Sequence, residues 1–141
     1  MNQIHRFLFK DFGIRGEHIR ITHAWQEMIK DRHYPTVLTQ FLGELTAISV
    51  MLASGIKHKG KLTLQMMGEG PITLLVVEVT HDLKIKGVAK TKGTLRDEAT
   101  LEALLGSGQI LSPWKMRTPI PFTNPMCLEK AKAWRKLLRL L

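Results

Sequence analysis

Residues 36–54 read TVLTQFLGELTAISVMLAS, and the architecture of the chain turns on how that segment packs. Its apolar positions are Val37, Leu38, Phe41, Leu42, Leu45, Ala47, Ile48, Val50, Met51, Leu52 and Ala53. From Phe41 onward they cover most of a helical circumference, with Gly43, Ser49 and Ser54 small enough to admit close neighbours. A helix apolar on nearly all sides is expected to be buried rather than laid on a surface. Tyr34-Pro35 separates it from an earlier helix, because proline is tolerated at the first turn, and Gly55 supplies a stop.

Downstream the period changes from helical to two. Leu62, Leu64 and Met66 alternate with Thr63 and Gln65, which predicts a strand with one apolar face. The turn Gly68–Pro71 leads into ITLLVVEVT at 72–80, apolar on both faces and so a central strand. A second turn at His81-Asp82 leads into LKIKGVAK at 83–90, which completes a three-strand antiparallel meander. Residues 97–105 read as a short helix ended by Gly106, and Gln109 begins another strand. Upstream, 4–9 and 17–22 are predicted strands around the glycines of FGIRG, and Thr22 is placed to cap a helix over 23–32. The fold class is therefore α+β, with antiparallel sheets packed around a buried central helix in β/α/β layers, incomplete at the C-terminus.

Composition narrows the function. A chain of 141 residues with 44% hydrophobic and 23% charged residues suits a single soluble domain. One cysteine, Cys127, excludes an internal disulfide framework. The N-terminus lacks the basic start and apolar run of a signal peptide, and the apolar stretch 41–56 is interrupted by polar residues and shorter than the roughly 20 needed for a bilayer. A cytoplasmic protein without membrane partners is expected. The net charge is +9, but 112–141 hold seven Lys/Arg against one acid, so +6 of it belongs to that end. Four of the six prolines and two of the three tryptophans lie there too.

Catalytic chemistry finds no foothold. His5, His18, His23, His33, His58 and His81 are scattered, without the paired spacing of a zinc site. The pairs Gly68/Gly70 and Gly106/Gly108 lack the remainder of a phosphate loop, and Ser107 lacks the Gly-x-Ser-x-Gly of a nucleophile elbow. No carboxylate pairing suggests acid–base work. The expectation is a non-enzyme with no catalytic, cofactor-binding or metal-ligating residues. Met51, Met66 and Met67 could belong to an adaptable apolar surface, although core filling accounts for Met51 on the central helix.

In order and spacing, several segments resemble the redox-regulated holdase chaperones known as the 33-kilodalton heat-shock proteins. They are HRFLF at 5–9, IRGEHIRI at 14–21, Tyr34-Pro35, Gly43-Glu44-Leu45, GKLTLQMMGEGPITLLVVEVT at 60–80 and LLGSGQI at 104–110. The GxLTxQxxGxGP block is the most specific. Lys86-Gly87-Val88-Ala89 departs mildly from the family's Arg-Gly-Tyr-Ala. The resemblance implies ATP-independent binding of unfolded client proteins under oxidative stress, with a homodimeric state open. Apolar strand positions Leu62, Leu64, Met66, Met67, Ile72, Leu74 and Val76 are the candidate client-binding residues, with core packing as their alternative role.

The resemblance also implies a C-terminal four-cysteine zinc site that acts as a redox switch. None of those cysteines is present here, so no cofactor is expected in this chain. The domain division is 1–111 for a truncated chaperone domain and 112–141 for a foreign tail, with the zinc domain missing. A frameshift would account for the tail. Read from the third base of each codon, Leu111 to Met116 permits Ile-Thr-Leu-Glu-Asp, a family-like continuation. A rival reading is a small basic nucleic-acid-binding module using KAKAWRKLLRLL at 130–141. The near charge balance of the main body and the lack of interleaved basic and aromatic residues argue against specific nucleic-acid recognition.

Overall fold

A computed structural model describes residues 2–55, 60–96, 100–107, 109–111 and 120–121. The chain opens with a hairpin, β1 (Gln3–Phe9) and β2 (Ile14–Arg20), joined by a single 3-10 turn at Lys10–Phe12. Gly13 closes that turn at φ +61°, a left-handed conformation that glycine adopts without steric cost. The register pairs Phe9 with Ile14 and Gln3 with Arg20, so side chains alternate cleanly between the two faces. Helix α1 (His23–Ile29) follows and stops three residues short of the predicted end. Thr22 holds the N-cap position, but its side chain makes no capping bond; its N–H donates to Asn2 Oδ1 at 3.1 Å.

Helix α2 (Thr36–Ser54) has the predicted bounds, with Pro35 at the N-cap accepting the Thr39 N–H. Its burial corrects the all-round expectation. The buried residues fall in one broad stripe, Val37/Leu38, Phe41/Leu42, Leu45/Thr46, Ser49/Val50 and Ala53. The other side is only half covered, and Leu52 is 45% exposed. The reason is supply: the large sheet covers one side, while α1 and the hairpin are too short to wrap the other. Thr46 and Ser49 tolerate full burial because their hydroxyls donate to the carbonyls of Leu42 and Leu45 at 2.7 and 2.6 Å. By length and composition α2 could cross a membrane, yet half of it is buried against its own fold, as a core helix would be.

Strands β3 (Lys61–Met67), β4 (Ile72–Thr80) and β5 (Ile85–Thr91) form the expected meander. β6 (Gln109–Leu111) pairs with β3 on its far side, and a two-residue strand, β7 (Ile120–Pro121), pairs with β6. The sheet order is therefore β5-β4-β3-β6-β7, antiparallel throughout. β7 falls within the stretch 112–141 that composition sets apart from the main body. Helix α3 (Leu101–Leu105) is shorter than predicted; Thr100 caps it by accepting the Ala103 N–H, and 97–99 lie outside the described residues. The rest of the basic tail, at 112–119 and 122–141, also lies outside them.

The core sits between α2 and the large sheet. Leu38 and Leu42 on the helix and Leu75, Val77 and Val79 on β4 are at most 1% exposed. The hairpin lies against the other side, near the C-terminal end of α2. Glu17 accepts from Ser54 Oγ at 2.8 Å and pairs with Arg6 at 2.9 Å, while Arg6 also donates to the Ser54 carbonyl. Hairpin, helix and sheet thus reproduce the predicted layering.

Candidate functional site

Six of the candidates are alternating strand positions, and Met67 is expected on the face of β3 opposite Leu62, Leu64 and Met66; the structure divides the seven between the two faces of the sheet. Along β3, Leu62, Leu64 and Met66 point at α2 and are buried, whereas Met67 points away and is 45% exposed. On β4 the naive period of two would put Ile72, Leu74 and Val76 on one face. A register irregularity between Ile72 and Leu74, opposite Thr91 and Lys90 of β5, breaks that parity. Such a bulge shifts every following side chain to the other face. Ile72 therefore sits fully in the core, and Leu74 and Val76 emerge on the outer face.

Four of the seven candidates, Leu62, Leu64, Met66 and Ile72, are thus core residues, as their alternative role had it. The other three come together. Met67 lies directly opposite Leu74, and Val76 lies directly opposite Val88 of β5, which the sequence reading did not include. The signal for Val88 was available, because a period of two puts it on the same outward face as Lys86 and Lys90. The result is a strip of apolar positions across three adjacent strands, on the face away from α2.

Charged side chains bound this strip. Lys61 donates to Glu78 at 2.9 Å, and Lys86 is the cross-strand partner of Glu78. The hydrogen bond from Lys61 is the main reason the Glu78 carboxyl titrates below its usual range. The edge strand β5 carries Lys86 and Lys90, flanked by Lys84 and Lys92, a charge pattern that discourages edge-to-edge pairing. α1 and α2 both pack on the opposite face. Gly87 permits this, since a Cβ there would lie 2.6 Å from Met28 Sδ and 3.6 Å from Leu42.

The two most specific sequence blocks meet in space. The backbone N–H groups of Glu69 and Gly70 donate to the Leu105 carbonyl at 2.9 and 3.1 Å. A Cβ on Gly68 would collide with that carbonyl at 2.5 Å, so glycine is what lets the β3–β4 turn close onto α3. These glycines are structural, and no phosphate cradle forms around them. Elsewhere the hairpin register brings His5 and His18 opposite each other, with ring centroids 6.3 Å apart. Among the described residues no group of three or more His, Cys, Asp or Glu could hold a metal ion.

Comparison with known proteins gives a consistent result. The family model described as Hsp33 protein matches residues 2–117. A 33 kDa chaperonin of Aliivibrio salmonicida is 38% identical over 110 residues, covering 78% of this chain and 38% of the relative. A 33 kDa chaperonin of Vibrio cholerae is 36% identical over the same extent. The chain therefore spans 38% of the length of these relatives. Among solved structures, the 33 kDa chaperonin (heat shock protein 33 homolog) of Thermotoga maritima has a similar fold. Its TM-score is 0.60 at 17% identity, over 84% of this chain and 43% of that one.

Proposed function

The chain belongs to the Hsp33 protein family, and from that premise we propose that it is a chaperone module that holds unfolded polypeptide on the outer face of its large sheet. The observation that carries this reading is the pairing of Met67 with Leu74 and of Val76 with Val88 on the side away from the core. An apolar strip on a sheet face binds without directional demands, because burial of apolar area is non-directional. Methionine adds a flexible, polarisable side chain that adapts to varied partners. The flanking Lys61, Glu78 and Lys86 keep the face soluble between encounters.

The activity proposed is holding rather than catalysis, needs no ATP, and serves cytoplasmic proteins that unfold under oxidative stress. Redox control through a zinc switch does not extend to this chain's residues. Four thiolates are needed for that site, whereas Cys127 is the one cysteine present.

The test is suppression of light scattering from a thermally unfolding client by the full chain without nucleotide. Met67→Lys combined with Val76→Lys places two charges on the strip while leaving the α2-facing core untouched. Suppression is expected to fall at least about tenfold, the scale of losing central apolar contacts. Undiminished suppression by a variant with an unchanged circular dichroism spectrum overturns the assignment.

A further inference from the structure

Two histidines that are scattered in the sequence meet on the hairpin. The β1–β2 register makes His5 and His18 direct cross-strand partners, and their ring centres stand 6.3 Å apart with planes inclined by 33°. Both are exposed. Two imidazoles bonded to one ion at about 2 Å each have their centres roughly 5–6 Å apart. The pair stands just beyond the open end of that range. Rotation about the Cβ–Cγ bonds, a broad and soft torsion in histidine, closes the remainder.

Their neighbours on the same face are fixed by the register. Phe7 opposite Gly16 flanks the pair on one side, and Gln3 opposite Arg20 flanks it on the other. A Cβ on Gly16 would overlap the Phe7 ring, so Phe7 lies across that glycine. Phe9 braces Phe7 edge to face, with centroids 5.7 Å apart. The histidines therefore have an apolar wall on one flank. No carboxylate of the two strands shares their face. Glu17 is on the opposite one, where it pairs with Arg6 at 2.9 Å and accepts from Ser54. Asp11 lies in the turn, which leaves Arg20 as the charged strand residue beside the pair.

That donor set selects an ion. Two neutral nitrogens without a carboxylate offer nothing to Ca2+ or Mg2+, which take oxygen ligands. Imidazole suits Zn2+, Cu2+ and Ni2+, and the exposed side leaves room for water to complete the coordination shell. The fold gives such an ion something to do. β1 and β2 form a sheet of two strands, and a two-stranded hairpin is marginally stable by itself. An ion held by one ring from each strand ties them together.

We propose that His5 and His18 form a surface clip for a divalent transition-metal ion of the Zn2+ or Cu2+ class, which staples β1 to β2. The site takes no ligand from cysteine and uses none of the sheet-strip residues, so it is independent of the chaperone reading.

The probe is Zn2+, added as the chloride to the full 141-residue chain with 13C-labelled histidine, with Mg2+ as the control. The ring signals of His5 and His18 should shift together along one binding curve, and Mg2+ should move neither. His5→Asn should weaken the response of His18 at least about tenfold, because the second ligand no longer stands at high effective concentration. Arg20→Glu exchanges the neighbouring cation for a carboxylate and should tighten binding at least about threefold, a gain that misfolding cannot mimic. Zn2+ should also slow hydrogen exchange of the β1 and β2 amides in wild type and not in His5→Asn. Separate binding curves for the two rings, an unaltered His18 response in His5→Asn, or no tightening by Arg20→Glu overturns the proposal. So does loss of both ring shifts in Cys127→Ser, which would place the ligand set elsewhere. Client aggregation is measured separately with the sheet-strip variant, so either claim can fail while the other stands.

Discussion

At Tyr34 one hydroxyl joins three parts of the chain: it accepts the Ala89 N–H at 3.2 Å and the Arg32 guanidinium at 2.7 Å. Ala89 lies on an edge strand, so this bond occupies a backbone donor that a sheet edge would otherwise expose. The β4–β5 turn is held by a comparable local device. The Thr80 hydroxyl bonds Asp82 and accepts the Lys84 N–H, while Lys84 forms an ion pair with Asp82 at 2.9 Å. The Thr80 hydrogen bond, followed by that from Lys84, pulls the Asp82 carboxyl from its usual 3.8 down to about 2. The unfolded chain binds the proton at the higher value and the folded chain at the lower one. The stabilisation is therefore complete above pH 3.8 and lost as the pH falls toward 2. A carboxyl-carbon NMR titration should place Asp82 near the lower figure, and Thr80→Val should move it back up. A titration unchanged by that substitution would dismiss the turn network. Sequence alone marked His81-Asp82 as a turn, but left open that Leu83 takes φ +60° to complete it.

Elements meet where side chains are absent. The β3–β4 turn closes onto α3 because Gly68 and Gly70 bring their backbones against the carbonyls of Leu105 and Leu104. Those carbonyls cannot move aside as a flexible side chain could. Gly70→Ala is expected to destabilise the fold by about 1–3 kcal/mol, the usual cost of overpacking. Gly60→Ala, where an added Cβ meets nothing within 4 Å, should be nearly neutral. Urea midpoints of the two variants check this, and equal midpoints would show that the turn does not depend on close approach. Both blocks, 68–71 and 104–106, were visible as motifs. Their contact was not, because more than thirty residues of chain separate them. The same limit applies to β4, where alternation made Ile72, Leu74 and Val76 look equivalent until the bulge sent them to different faces.

For the whole molecule, most of the net charge lies outside the helix and strands that form the core. The described body, from β1 to β6, takes its stability from α2 packed on the large sheet. Six of the nine net positive charges lie in 112–141. Retention of the chain on DNA is accordingly expected to fall steeply with salt and to vanish when 112–141 are deleted, since such binding tracks the number of phosphate contacts. Client holding should survive that deletion. DNA affinity persisting in the shortened chain would restore the nucleic-acid reading. By itself, the sequence determined the helix at 36–54, the meander of 61–91 and the layering that follows, because apolar periodicity is a local property of neighbouring residues. Tertiary structure alone decided that Ile72 parts from Leu74 and Val76 across the sheet, and that Phe9, Phe12 and Ile14 stay outside on the hairpin. Burial depends on what distant parts of the chain supply to cover a face, and a run of residues contains no record of that.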